Sequence, residues 1–154
     1  MICNGVDVSA YQENIDWNKL KSQGIDFAIV RAGYTGYGTG SINADNWFTR
    51  HMEGAKDADM MLGVYYYSQA TTPEEAVEEA DFTVKLLREA GYTSDDLALP
   101  VFMDYEKVSS SKGRINNLSK STRTKCATAF LEEIALQGFV PGIYTDYSFG
   151  SKSV

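Results

Sequence analysis

Five short apolar runs recur along this chain at intervals of roughly thirty residues, with amphipathic segments between them, and this alternation is the strongest constraint on its fold. The runs are "GVDVS" (5–9), "DFAIVRAGY" (26–34), "MLGVYYYSQA" (61–70), "LPVFMDYEKV" (99–108) and "FVPGIYTDY" (139–147). Their β-branched and aromatic content predicts strands. The segments between them carry helix signals. In "IDWNKLKSQG", Asp16 stands as an N-cap, Ile15 and Leu20 have staple spacing, and Gly24 marks a stop. Phe48, Met52 and Ala55 repeat at helical spacing between 44 and 58. The clearest helix is "TTPEEAVEEADFTVKLLREAG": Thr72 caps it, Pro73 takes the first turn, Glu75 is placed for a capping box and Gly91 ends it. Its expected apolar stripe is Val77, Ala80, Val84 and Leu87. After a Ser-rich loop at 109–119, a last helix runs through Phe130, Leu131 and Ile134 to Gly138.

Strands that alternate with helices pair in parallel, so the class is α/β, and runs such as "FAIV" predict a sheet covered on both faces. Periodicity leaves open whether the sheet curves towards a (β/α)8 barrel or stays open and doubly wound. The 154 residues, 44% of them hydrophobic, describe one domain, which buries roughly 70% of its unfolded surface. Eight barrel units need roughly 240 residues, more than this chain supplies.

Charge and cysteine content trim the functional classes. A net charge of -7 without clustered Lys or Arg argues against nucleic acid as a partner. Cys3 and Cys126 lie far apart without metal-ligand spacing, so both are expected to be buried thiols. The N-terminus "MICNGVDVSAYQ" has no basic n-region followed by a long apolar core, so neither a signal peptide nor a membrane anchor is expected.

The fourth run carries the chemistry. Strand residues two apart share a face, so Phe102, Asp104 and Glu106 point one way while Val101, Met103 and Tyr105 point the other. The two acids close the C-terminal end of a parallel strand, where α/β proteins place their ligands. Asp7 occupies the matching position in the first run, so three acids are expected to converge. Two carboxylates about 6.5 Å apart repel by roughly 2.5 kcal/mol at an effective dielectric of about 20, enough to keep one of them protonated near neutrality. A protonated carboxyl beside an ionised one is the equipment of glycoside hydrolysis, with Glu106 as the general acid and Asp104 as the stabilising carboxylate.

Around these acids the sequence places Tyr34, Tyr37, Tyr65, Tyr66, Tyr67, Tyr105 and Tyr144, whose flat amphipathic rings suit sugar faces or sheet cores equally. Arg31 reads as a buried partner of the site carboxylates. His51, the only histidine, is expected on a solvated helix surface, which leaves no Ser-His-Asp triad or histidine-based zinc site. "GYTGYGTGS" (33–41) lacks the order of a phosphate-binding loop and reads as a flexible loop at the site rim. Three carboxylates could instead hold Mg2+ or Ca2+, which keeps a metal-dependent hydrolase as an alternative.

"GVDVSAYQENIDWNKLKSQGIDFAIVRAGYTGYG", "LGVYYYSQA", "LPVFMDYE" and "GIYTDYSF" together resemble the glycoside hydrolase family 25 muramidases along essentially the whole chain. The resemblance implies a modified (β/α) barrel of TIM-like type, here with about five parallel strands. It also implies retaining cleavage of the β-1,4 bond between N-acetylmuramic acid and N-acetylglucosamine in peptidoglycan, assisted by the substrate's acetamido group. Glu106 matches the family's general acid, Asp104 the carboxylate that assists the acetamido group, and Asp7 the site acid of the first strand. Tyr65, Tyr67, Tyr144 and Arg31 are the expected substrate-binding residues, and no metal or organic cofactor is implied.

Where related domains continue through further strands with another acid and a Trp-rich stretch, this sequence ends in "DYSFGSKSV". Asp146 does not match that later acid. The chain is therefore expected to be a single family 25 catalytic domain over 1–154 that lacks its last strands. Bare strand edges predict self-association, and a catalytically inactive fragment with weak glycan binding stands as the alternative. The implied partner is the glycan of the bacterial wall, with no nucleic acid and no membrane. The implied place of action is the extracellular cell wall, reached by secretion or by release on host lysis.

Overall fold

The computed structural model describes residues 2–146. Its sheet contains β1 (Gly5–Val8), β2 (Phe27–Thr35), β3 (Ile42–Ala44), β4 (Met61–Tyr67), β5 (Val101–Asp104) and β6 (Pro141–Tyr144). Strand order settles what periodicity left open. The parallel strands run β1-β2-β4-β5-β6, each added to the same side of the one before. A doubly wound sheet needs a point where this order reverses, and the described strands contain none. Right-handed crossovers in one direction put every helix on one face, which makes this sheet the wall of an incomplete (β/α) barrel.

Burial follows that geometry. Ala28, Val30 and Ala32 of β2, Leu62, Val64 and Tyr66 of β4, and Val101 and Met103 of β5 are all buried. On the opposite face Ile29, Arg31, Tyr65, Tyr67, Phe102 and Asp104 are only half-buried. The expectation of two covered faces is thus corrected: "FAIV" is apolar throughout, but only Ala28 and Val30 lie in the core, while Ile29 lines a cavity.

The helices α1 (Trp17–Ser22), α2 (Phe48–Asp57), α3 (Pro73–Glu89) and α4 (Lys120–Leu136) fall in the four expected gaps. Asp16 caps α1 by accepting from the Lys19 backbone N–H, and Gly24 follows the helix at φ +90°, where a side chain would be strained. Thr72 caps α3 and Ser119 caps α4 in the same way. The Glu75 carboxylate makes a different contact from the one its capping-box position predicts. It accepts from the Thr71 hydroxyl at 2.6 Å and from the Arg114 guanidinium at 2.8 Å. The buried stripe of α3 also differs, since Val77 is half-buried while Glu79 and Thr83 join Ala76, Ala80, Val84 and Leu87 inside.

Three further expectations are corrected. The Gly-rich stretch is largely a hairpin, because β2 extends to Thr35 and turns back into antiparallel β3. His51 is buried and its Nε2 lies 2.9 Å from the Ser9 carbonyl; a carbonyl only accepts, so Nε2 carries the proton. The ring sits between Trp17 and Trp47, so it belongs to the α1–α2 packing. Cys126 is buried as expected, but Cys3 is exposed, since it precedes β1 and lies outside the core. Residues 147–154, which include the end of the fifth expected strand and most of the departing tail, lie outside the described residues. No helix among the described residues is long and apolar enough to cross a membrane.

Candidate active site

The C-terminal ends of β1 and β5 bring the predicted acids together. Asp7, Asp104 and Glu106 line one cavity of about 310 Å³ with Ile29, Tyr65, Phe102 and Tyr144. Strand alternation is the cause: Val101, Met103 and Tyr105 are buried beneath the helices, which turns Phe102, Asp104 and Glu106 to the other face. Parallel pairing continues this order outward, with Asp104 level with Tyr67 on one side and Tyr144 on the other.

Charge builds up sharply here. Asp104 is pushed up to about 7, chiefly by burial, then by the negative charges of Glu106 and Asp7, with Arg31 offsetting part of the rise. Its Oδ1 is buried with no hydrogen-bond partner among the described residues. Burial also raises Glu106, helped by Asp146 and Asp7. Asp146 is therefore a further acid close to Glu106, although its position after β6 suggested no such role. The sequence reading put the retained proton on Glu106, whereas the larger upward shift falls on Asp104, which lies deeper. Strongly interacting carboxyls titrate as a pair.

The tyrosines divide by face. Tyr66 and Tyr105 are core residues on the helix side. Tyr65 lies among the acids, its hydroxyl held protonated by burial and by Asp7, Asp104 and Asp45, with Arg31 acting in the opposite sense. Tyr67 is raised by burial, by its Tyr37 hydrogen bond and by the charges of Asp104 and Glu106. Tyr144, an exposed residue, is raised first by Glu106.

A second cavity, of about 350 Å³, has Tyr67 in its wall together with Arg31, Tyr34, Tyr37, Tyr11 and Asp45. The Tyr37 and Tyr67 hydroxyls are 2.9 Å apart. Arg31 corrects its expected pairing. Its Nε donates to Asp45 at 2.8 Å, so its ion-pair partner is Asp45 and not one of the three site acids. A bulge between Arg31 and Gly33 lets Arg31 and Tyr34, three residues apart, face the same side, and the guanidinium lies over the Tyr34 ring at 4.7 Å. Asp45 was missed by sequence reasoning. It also accepts from the Ala10 and Trp47 backbone N–H groups, and its place just before α2 marks it only as a capping candidate. Among the described residues no group of three or more His, Cys, Asp or Glu is arranged to hold a metal ion.

Residues 6–154 match the profile of the glycosyl hydrolases family 25. The chain belongs to this family. Among family 25 relatives and similar proteins, the N,O-diacetylmuramidase of Arthroderma benhamiae is 28% identical over 142 residues, covering 92% of this chain and 56% of that protein. Lysozyme M1 of Streptomyces globisporus is 28% identical over 102 residues, 66% of this chain and 32% of its own length. The chain thus spans 32 to 56% of the length of the curated relatives it matches. The modular autolysin LytC of Streptococcus pneumoniae superposes with a TM-score of 0.82 at 21% identity, over 97% of this chain and 34% of that one. The same autolysin has also been solved in complex with a synthetic peptidoglycan ligand. At this identity the superposition shows a shared fold, and the family 25 barrel wall is that fold.

Proposed function

We propose that this chain is a muramidase that hydrolyses the β-1,4 bond between N-acetylmuramic acid and N-acetylglucosamine in bacterial peptidoglycan. The observation that carries the reading is the convergence of Asp7, Asp104 and Glu106 in one cavity where burial and mutual repulsion raise Asp104 to about 7 and raise Glu106 as well. An acid that keeps its proton near neutrality can protonate the leaving oxygen, and an ionised neighbour stabilises the positive charge that develops on the sugar. Glu106 is the general acid, because it follows β5 at the rim and is less enclosed than Asp104. Asp104 orients the substrate's acetamido group for attack on the anomeric carbon with retention, and Asp7 adds negative charge beneath the sugar. Tyr65, Tyr67 and Tyr144 supply ring faces, and Arg31 supplies the positive charge of the adjoining cavity. Proton transfer and electrostatic stabilisation suffice for this reaction, which acts on the wall outside the cell membrane.

The test is release of reducing sugar from purified peptidoglycan by the 154-residue chain. Glu106→Gln is expected to lower kcat by at least about 100-fold, the usual contribution of a general acid. EDTA is expected to leave the wild-type rate unchanged. Wild-type cleavage that persists in Glu106→Gln would remove the acid assignment, and cleavage abolished by EDTA would favour the metal-dependent alternative.

A further inference from the structure

Behind the site, on the helix-covered face of the sheet, lies a carboxylate that the proposed chemistry does not use. Glu79 of α3 is 1% exposed, and three hydrogen-bond donors hold its carboxylate. Its Oε1 accepts from the Ser68 hydroxyl at 2.5 Å, and its Oε2 accepts from the Thr35 hydroxyl at 2.6 Å and from the Gln69 backbone N–H at 3.2 Å. When Glu79 is ionised, Thr35 donates to it, so the Tyr66 hydroxyl 2.7 Å away donates to Thr35 and the network has one direction.

Each of these partners is joined to the reacting face. Thr35 ends β2, two residues before Tyr37, and Ser68 directly follows Tyr67. The Ser68 backbone N–H donates to the Asp104 carbonyl at 3.0 Å. The Tyr105 hydroxyl, from the residue between the two site acids, donates to the Ala70 carbonyl at 2.8 Å. Segment 68–70 is therefore tied at once to β5 beside Asp104 and Glu106 and, through Glu79, to α3. Buried carboxylates are costly, and an apolar residue at this place in the stripe would pack without that cost.

We infer that Glu79 is a positioning residue, which anchors segment 68–70 to α3 and so fixes the backbone of Asp104 and the Tyr37–Tyr67 wall from behind the sheet. The inference rests on the muramidase reading for its effect on rate, but its structural part can be tested without activity. A Gln at 79 can still accept from Thr35 and Gln69 through its amide oxygen and donate to Ser68 Oγ, whereas Ala leaves all three groups unanchored.

The experiment compares Glu79→Ala, Glu79→Gln and Ser68→Ala with the wild type, by steady-state kinetics on peptidoglycan fragments and by amide hydrogen exchange. The Val64 N–H, bonded to Pro100 O near the start of β5, is the internal reference. Glu79→Ala is expected to lower kcat about 10-fold or more with KM within about 2-fold, and to speed exchange of the Ser68 amide about 10-fold while Val64 is unchanged. Glu79→Gln is expected to restore kcat to within about 3-fold. If Glu79→Ala fails to fold, Ser68→Ala carries the same expectation for the backbone amide at position 68 and for kcat. A Ser68 amide that keeps its wild-type exchange in the folded variant, or a uniform acceleration of all amides, overturns the inference. If the wild type releases no reducing sugar the muramidase reading fails, and the exchange comparison still decides the role of Glu79.

Discussion

Asp104 and Glu106 leave the same strand on the same side, yet they meet different surroundings. Asp104 is enclosed and has one oxygen without a partner among the described residues, while Glu106 lies at the rim within reach of the Asp7 and Asp146 charges. Those charges set the sign of a pH effect. Deprotonation of the general acid makes the alkaline limb of kcat/KM, and a nearby negative charge moves that limb upward. Asp146→Asn removes one such charge, so the limb is expected to move to lower pH in a pH-rate series of reducing-sugar release. An unmoved limb would mean that Glu106 does not govern it. At this scale the sequence was legible where a residue's placement depends on strand alternation alone, as it does for Asp7, Asp104 and Glu106, which line one cavity. Asp45 and Glu79 were not legible, because their roles depend on partners 11 to 44 residues away, Arg31 for the one and Thr35 and Ser68 for the other.

Helices show where local propensity and packing disagree. Gly54 lies inside α2, where Ala is preferred by about 1 kcal/mol on intrinsic grounds. A Cβ at this position would meet Trp17 Cδ1 at 2.2 Å, and Trp17 is buried and set edge-on to His51. A buried indole must shift to admit the Cβ, so overpacking is expected to outweigh propensity. Gly54→Ala is expected to destabilise by about 1–3 kcal/mol, read as a lower Tm with an altered tryptophan emission. A raised Tm would show that the α1–α2 contact yields easily. The four helices were legible from capping residues and apolar spacing, which are local signals. The hairpin through β3 was not, because its glycines signal a loop and its pairing with β2 is a tertiary contact. The burial of His51 was missed for the same reason, since Trp17 and Trp47 enclose it only after α1 and α2 have packed.

For the molecule as a whole, two buried acids, one in the site and one behind it, work against stability as pH rises. Glu79 and Asp104 are each pushed up to about 7, and burial is the first cause in both. Below the carboxylate range of the unfolded chain, near pH 4, both states hold these protons and the full stability is present. Between about pH 4 and 7 the unfolded chain gives up the protons that the folded chain retains, so the unfolding free energy falls through that window, by roughly 3 to 4 kcal/mol per group at most. Glu75 acts in the other sense, since Arg114 and Thr71 hold its pKa below the usual value against the opposing effect of burial, and its contribution is lost as pH falls through that lowered value. Thermal unfolding is therefore expected to show its highest Tm at mildly acidic pH and a decline from pH 5 to pH 8, and Glu79→Gln, which cannot ionise, is expected to flatten the decline. A Tm that climbs steadily from pH 5 to pH 8 would mean that these two carboxyls are ionised in the folded chain without penalty. Asp104 would then be ionised near neutrality, as the stabilising partner of Glu106 must be, so a stability measurement bears directly on the chemistry proposed for the site.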